Sequence, residues 1–158
     1  MKYRNKSIQI ACDGGAATGK STGAKMISKK YNLKFLSSGM LYRYASFLIL
    51  KHKPKNYENF LKKNFKNFNL GNIKINNLHT QEISKHAALI AKVKKVRNIL
   101  KKYQINFTKK FANCCIEGRD IGTVILPNAD IKFFFKCSLD VAARRRFKEL
   151  RKNNKQIK

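Results

Sequence analysis

Ile8, Ile10 and Cys12 fall at alternate positions at the start of the chain, on one face of a period of two that predicts a short strand over residues 7–12. A glycine-rich stretch, 13–19, predicts a loop, and residues 20–31 then take up a helical period. Residues 33–36 predict a second strand. Residues 40–51 predict a helix with Leu41, Tyr44, Ala45, Leu48 and Ile49 as its apolar positions, broken by Pro54. Further along, 57–68 predicts a small helix followed by a turn, 70–75 an edge strand, and 80–91 and 92–110 two helices. Residues 112–117 and 129–136 are continuous apolar runs of the kind that form buried strands of a parallel sheet. A basic helix over 139–152 and a polar tail over 153–158 follow, and no internal repeat is present.

Strand, glycine loop, helix, then strands separated by helices indicates an α/β fold: a doubly wound parallel sheet flanked by helices. The mainly helical stretch between the second strand and residue 112 is too long for one crossover. It predicts an inserted lobe.

Composition changes this picture in several places. The 158 residues fit one domain of about 100–200 residues, and no apolar run approaches the ~20 residues of a membrane helix. The basic N-terminus leads straight into a strand rather than a long apolar segment, so a cytoplasmic protein is expected. A formal charge of +28 first suggests a nucleic-acid partner. Yet 28 Lys, 16 Asn and 15 Ile are residues of AT-rich codons, which points instead to a solvated Lys background with no specific nucleic acid. Phe60, Leu61, Phe65 and Phe68, interleaved with Lys, fit a buried helical face better than a set of stacking platforms. The eight acids carry more information because they are scarce; Asp13, Glu117 and Asp120 fall in the two segments that look most like chemistry. Cys12, Cys114, Cys115 and Cys137 lie in apolar runs without metal-ligand spacing and read as small buried residues.

The strongest signal is Gly14-Gly15-Ala16-Ala17-Thr18-Gly19-Lys20-Ser21-Thr22, which fits G-x-x-x-x-G-K-[ST] between a predicted strand and a predicted helix. Glycines let consecutive backbone N–H groups turn inward onto phosphate oxygens, and the helix N-terminus adds its partial positive charge. Lys20 reaches the β- and γ-phosphates, the Ser21 hydroxyl ligates Mg²⁺, and Thr22 backs up the phosphate contacts. The motif alone names a nucleoside triphosphate site but no reaction.

Segments 13–22 (DGGAATGKST), 37–43 (SSGMLYR), 78–83 (LHTQEI), Val96-Arg97 and 117–127 (EGRDIGTVILP) together resemble bacterial cytidylate kinases, in order and rough spacing, over about residues 8–146. The resemblance implies a kinase that moves the γ-phosphate of ATP, with Mg²⁺, to CMP or dCMP. It implies a nucleotide-binding core of residues 1–36 and 111–137, a nucleoside-monophosphate-binding lobe of 37–110, and the start of a lid over 138–158. It also implies an acceptor site of Ser38, Arg43, Arg97, Arg119 and Asp120. Arg43 and Arg119 would bind the acceptor phosphate through guanidinium forks, and Arg97 would read the pyrimidine edge. Asp120 would hold one of these arginines or help organise the Mg²⁺ site. Lys20, Arg119 and Asp120 would form the catalytic group, and Arg144, Arg145 and Arg146 would close over the ATP phosphates.

Departures from the family pattern are Gly15 for a usual Pro, Ser37 for a usual Asp, His79 for a usual Arg, and Ala88 where Ser often contacts the base. Family members also run past 200 residues, through an R-D-x-x-R-type segment and a last strand and helix. The chain is therefore expected to be most of a larger kinase, either a fragment or a shortened gene product, acting as a monomer away from membranes. The rival reading is a basic nucleic-acid-binding or inactive ATP-binding module derived from the same fold.

Overall fold

The alternating N-terminal segment becomes an inner strand of a four-stranded parallel sheet in a computed structural model that describes residues 7–66, 68 and 78–153. The strands are β1 (Gln9–Gly14), β2 (Lys34–Ser37), β3 (Cys114–Gly118) and β4 (Ile131–Phe135), in the order β2-β3-β1-β4. β1 pairs in parallel with β3 from Gln9↔Cys114 to Asp13↔Gly118, and with β4 from Ile10↔Ile131 to Gly14↔Phe135. Helix α1 (Lys20–Lys30) follows β1 and packs on β3, ending with Lys29 and Lys30 where cations complement the helix dipole. Ile10, Cys12, Ala24, Leu33 and Cys115 form the centre of this core. Each large side chain fully buried there contributes roughly 1.5–3 kcal/mol.

By internal contacts the chain divides into two compact units, Met1–Leu36 with Phe111–Lys158, and Ser37–Lys110. The second unit is built from α2 (Ser38–His52), α3 (Tyr57–Lys66), α4 (Gln81–Ile90) and α5 (Lys94–Lys110). Leu41, Ala45 and Leu48 on α2 and Ile83, Ala87 and Ile90 on α4 share the i, i+4, i+7 spacing that makes one buried stripe, and the two helices pack together. α3 packs on α5. Leu61 and Phe65 are buried there, and Phe65, Phe68, Tyr44 and Tyr103 form an aromatic cluster with Tyr44 and Phe68 stacked at 4.6 Å. Phe65 of α3 thus belongs to a core, while Phe60 is half-buried and Tyr57 exposed. Hydroxyl caps start two of these helices: Ser37 Oγ accepts from the Met40 amide at 3.3 Å, and Thr80 Oγ1 from Ile83 at 3.2 Å.

Several boundaries differ from the sequence expectation. β1 runs two residues further, through Asp13 and Gly14, because both find partners on β3 or β4. α2 begins at Ser38 rather than residue 40, since Ser37 supplies the cap. A π-helical turn, Ile121–Ile125, follows β3 where no element was expected. β4 departs most: expected buried, it leaves Ile131 39%, Phe133 41% and Phe134 65% exposed. It ends the strand order, so among the described residues only β1 pairs with it. The expected edge strand over 70–75 and the tail beyond 153 lie outside the described residues. α6 (Leu139–Asn153) forms close to its expected position. Among the described residues no helix is long and apolar enough to cross a membrane.

Candidate active site

The glycine loop opens where β1 ends and closes where α1 begins. Gly14 has no room for a side chain: a Cβ there would lie 2.6 Å from the Phe135 carbonyl oxygen of β4. Ala17 adopts φ 58° and Gly19, the residue before α1, φ 89°, so the loop turns through two left-handed residues. Gly19 carries no side chain to cap the helix, and the first turn of α1 holds no acid. The amides at this end are therefore left to an incoming anion. Thr18 Oγ1 donates to the Gly15 carbonyl at 3.1 Å and steadies the loop.

Ala17, Thr18, Gly19, Thr22, Gly23 and Arg145 line an open cleft of about 470 Å³. Arg145 reaches it from α6, its Nη1 donating to the Ala17 carbonyl at 3.4 Å. Of the three expected lid arginines, Arg145 thus meets the phosphate loop; Arg144 is exposed and Arg146 half-buried on the same helix. Ser21 and Thr22 are exposed on the first turn of α1.

Lys20 is the first residue of α1, and its Nζ forms an ion pair with the Glu117 carboxylate at the end of β3. Both side chains are largely buried, at 13% and 4% exposure. Removing one partner of such a pair leaves the other charge uncompensated, at a cost of about 3–5 kcal/mol. Asp13, at the neighbouring position on β1, is also buried; its Oδ1 accepts from the Ile121 amide at 2.8 Å and its Oδ2 from Gly122 at 2.7 Å. Each inner strand therefore ends in a carboxylate that grips the segment following the other one.

The expected acceptor residues fall on both units. Arg119 is exposed just beyond β3, and Asp120 stands at the head of the π-helical turn, its carbonyl accepting from Val124 at 2.9 Å. On the helical unit, Ser38 is buried in the first turn of α2. Arg43 Nη1 meets His79 Nδ1 at 2.8 Å and the Leu78 carbonyl at 3.4 Å, while Arg97 Nη1 donates to Ala91 at 3.4 Å. His79, a departure from the family pattern, thus partners one of the expected phosphate-binding arginines.

All four cysteines are free thiols. Cys12 and Cys115 lie 3.7 Å apart, sulfur to sulfur; the hydrogen bond between them and burial hold the Cys12 thiol well above the ordinary range. Burial pushes Cys114 up to about 11. Neutral thiols of this kind pack the sheet and are poor nucleophiles.

Two features escaped the sequence reading. Glu117 and Asp13 were marked by their scarcity, but what they bind was not readable from local pattern. Gly23 sits where a Cβ would meet the Phe135 ring at 2.6 Å, a contact between α1 and β4 whose one outward sign is a glycine inside a helix.

A model of the cytidylate kinase family matches residues 10–158. The chain is 37% identical over 154 residues to the cytidylate kinase of Rickettsia canadensis (strain McKiel), covering 96% of this chain and 69% of that protein. It is 36% identical over 156 residues to the cytidylate kinase of Bartonella tribocorum, with 96% and 71% covered. Against the cytidylate kinase of Clostridium botulinum (strain Hall) the identity is 38% over 161 residues, with 95% and 74% covered.

Proposed function

The chain belongs to the cytidylate kinase family, and from that premise we propose that it transfers the γ-phosphate of ATP to CMP or dCMP, giving CDP or dCDP in pyrimidine nucleotide metabolism. In this reading loop residues 14–22 hold the ATP phosphates, with Lys20 neutralising charge on the transferred group. Lys20 supports it best: a largely buried cation at the start of a helix, behind a glycine loop, held by Glu117.

The fit for Mg²⁺ rests on Ser21, whose exposed hydroxyl on the first turn of α1 is a hard oxygen donor of the type the ion takes. Bound there with the phosphates, the ion would neutralise charge on their oxygens. Arg43 and Arg119 bind the acceptor phosphate as bidentate forks, Arg97 reads the pyrimidine edge, and Ser38 and Asp120 orient these groups. Arg144, Arg145 and Arg146 close on the donor side, a role in keeping with the contact between Arg145 and Ala17. The acceptor phosphate oxygen attacks in line, with no covalent intermediate and no side-chain base; positioning and charge stabilisation supply the catalysis. A cytoplasmic monomer is the form this reading takes from the family resemblance.

The rival, a basic nucleic-acid-binding module, loses its main support because Leu61 and Phe65 of α3 are buried and Phe68 stacks on Tyr44. A coupled assay for ADP release from ATP with CMP, dCMP or UMP as acceptor decides between them. The expected result is CDP formation that Lys20→Ala lowers by at least about 10²-fold, measured at a temperature where circular dichroism shows the variant folded, since the substitution also leaves Glu117 without its cation. Turnover of none of the three acceptors would end the kinase reading.

A further inference from the structure

Of the two carboxylates buried at the ends of the inner strands, Glu117 meets a cation and Asp13 does not among the described residues. Each oxygen of Asp13 instead takes one backbone amide, Ile121 at 2.8 Å and Gly122 at 2.7 Å. These are the first two residues of the π-helical turn, whose leading N–H groups have no partner within the turn. Asp120 occupies the cap position, yet its side chain does not cap the turn. Asp13 does so, from a strand 108 residues earlier. Charge-assisted bonds of this length are about twice as strong as neutral ones, and burial shields them from competing water.

The same strand end continues through Gly14 into the phosphate loop, while the turn it grips begins directly after Arg119 and Asp120. We propose that Asp13 is a positioning residue for the acceptor side: it fixes the Arg119–Asp120 segment in register with the donor loop. Arg119 is thereby anchored to β1 as well as to its own strand, β3. The acceptor half of this inference rests on the proposed reaction, in which Arg119 holds the acceptor phosphate. Displacing such a group by about 1 Å costs on the order of 10²-fold in rate.

Asp13→Asn keeps the shape but replaces one acceptor oxygen by an NH₂ that faces an N–H donor, so at most one of the two bonds survives. Hydrogen exchange on the 158-residue chain should show Ile121 and Gly122 protected in the wild type and exchanging at least about tenfold faster in the variant. In the kinase assay kcat/KM for CMP should fall by about 10–10²-fold, with KM for ATP kept within about threefold. Gly122→Ala perturbs the same contact from the other side, since its Cβ would lie 3.2 Å from Asp13 Oδ2. It should reproduce the CMP-selective loss, and it carries the test if Asp13→Asn fails to fold.

Equal exchange in wild type and variant would overturn the proposal. So would losses for CMP and ATP that are equal and track the fall in thermal midpoint, because a purely structural role predicts that outcome. A wild type that protects both amides but makes no CDP would overturn the kinase reading and the acceptor role. The exchange comparison would still decide whether Asp13 pins the turn.

Discussion

β1 and β4 lie side by side in one sheet, and both are largely apolar, yet β1 is buried from Ile10 to Gly14 while four of the five residues of β4 are exposed. The difference lies in their neighbours. β1 has a strand on each side; β4 ends the order and pairs only with β1. Hydrophobic sequence states what a strand can bury, and topology decides whether it does. The contrast extends to chemistry. A carboxylate is buried in β1 because a third element brings two amides to it, and β1 alone of the pair leads into the phosphate loop.

The severest challenge to this contrast is the charge pair beside β1. Glu117→Ala should strand Lys20 in a buried site and lower unfolding free energy by about 3–5 kcal/mol, read from urea midpoints. A loss below about 1 kcal/mol would mean that the inner strand ends tolerate charge as the edge does. Next, Ile10→Ala should cost about 2–4 kcal/mol, whereas Phe134→Ala, at 65% exposure, should stay within about 0.5 kcal/mol. Equal costs would break the comparison.

Two glycines sharpen it further, since both face Phe135. At Gly14 a new Cβ meets a backbone oxygen that is fixed by pairing; at Gly23 it meets the ring of Phe135, a half-buried side chain that can shift where a paired backbone oxygen cannot. Gly23→Ala should therefore cost only about 1–2 kcal/mol and Gly14→Ala more, with the order of their thermal midpoints as the readout. The smallest effect is a pH dependence. The folded protein holds the Cys114 proton up to about 11 against an ordinary 9.0, so that share of stability is intact below pH 9 and falls as pH rises towards 11. By pH 10 the loss from this thiol should be about 1 kcal/mol, and Cys114→Ala should shrink the difference between urea midpoints at pH 8 and pH 10 by that share.

The sequence made the elements and the phosphate loop legible because both depend on local order: period two before the glycines, period 3.6 after them, and a Lys-Ser pair at the helix start. Helix α6 (Leu139–Asn153) and the helices of the Ser37–Lys110 unit followed for the same reason. What stayed hidden depends on residues far apart in the chain. Asp13 gained its role from amides at 121 and 122, Lys20 from Glu117, and Arg43 from His79, and no local pattern encodes such pairings. The exposure of β4 was misjudged on the same ground, since its apolar run is indistinguishable from that of a strand with two neighbours. The π-helical turn was hidden because Ile-Gly-Thr-Val-Ile favours no helix on propensity; amides tied to a distant carboxylate hold its start.

The uncapped start of α1 has one more consequence. A helix that begins on Gly19, with no acid in its first turn, lacks the usual means of stabilising its own amino end, and the phosphate groups of the ligand would take over that work. Ligand retention and local order would then be a single thermodynamic quantity. Any polyphosphate that fits the loop, reactive or inert, should raise the melting temperature with the logarithm of its concentration over its Kd, and a chain starved of nucleotide should first come apart at residues 19–22.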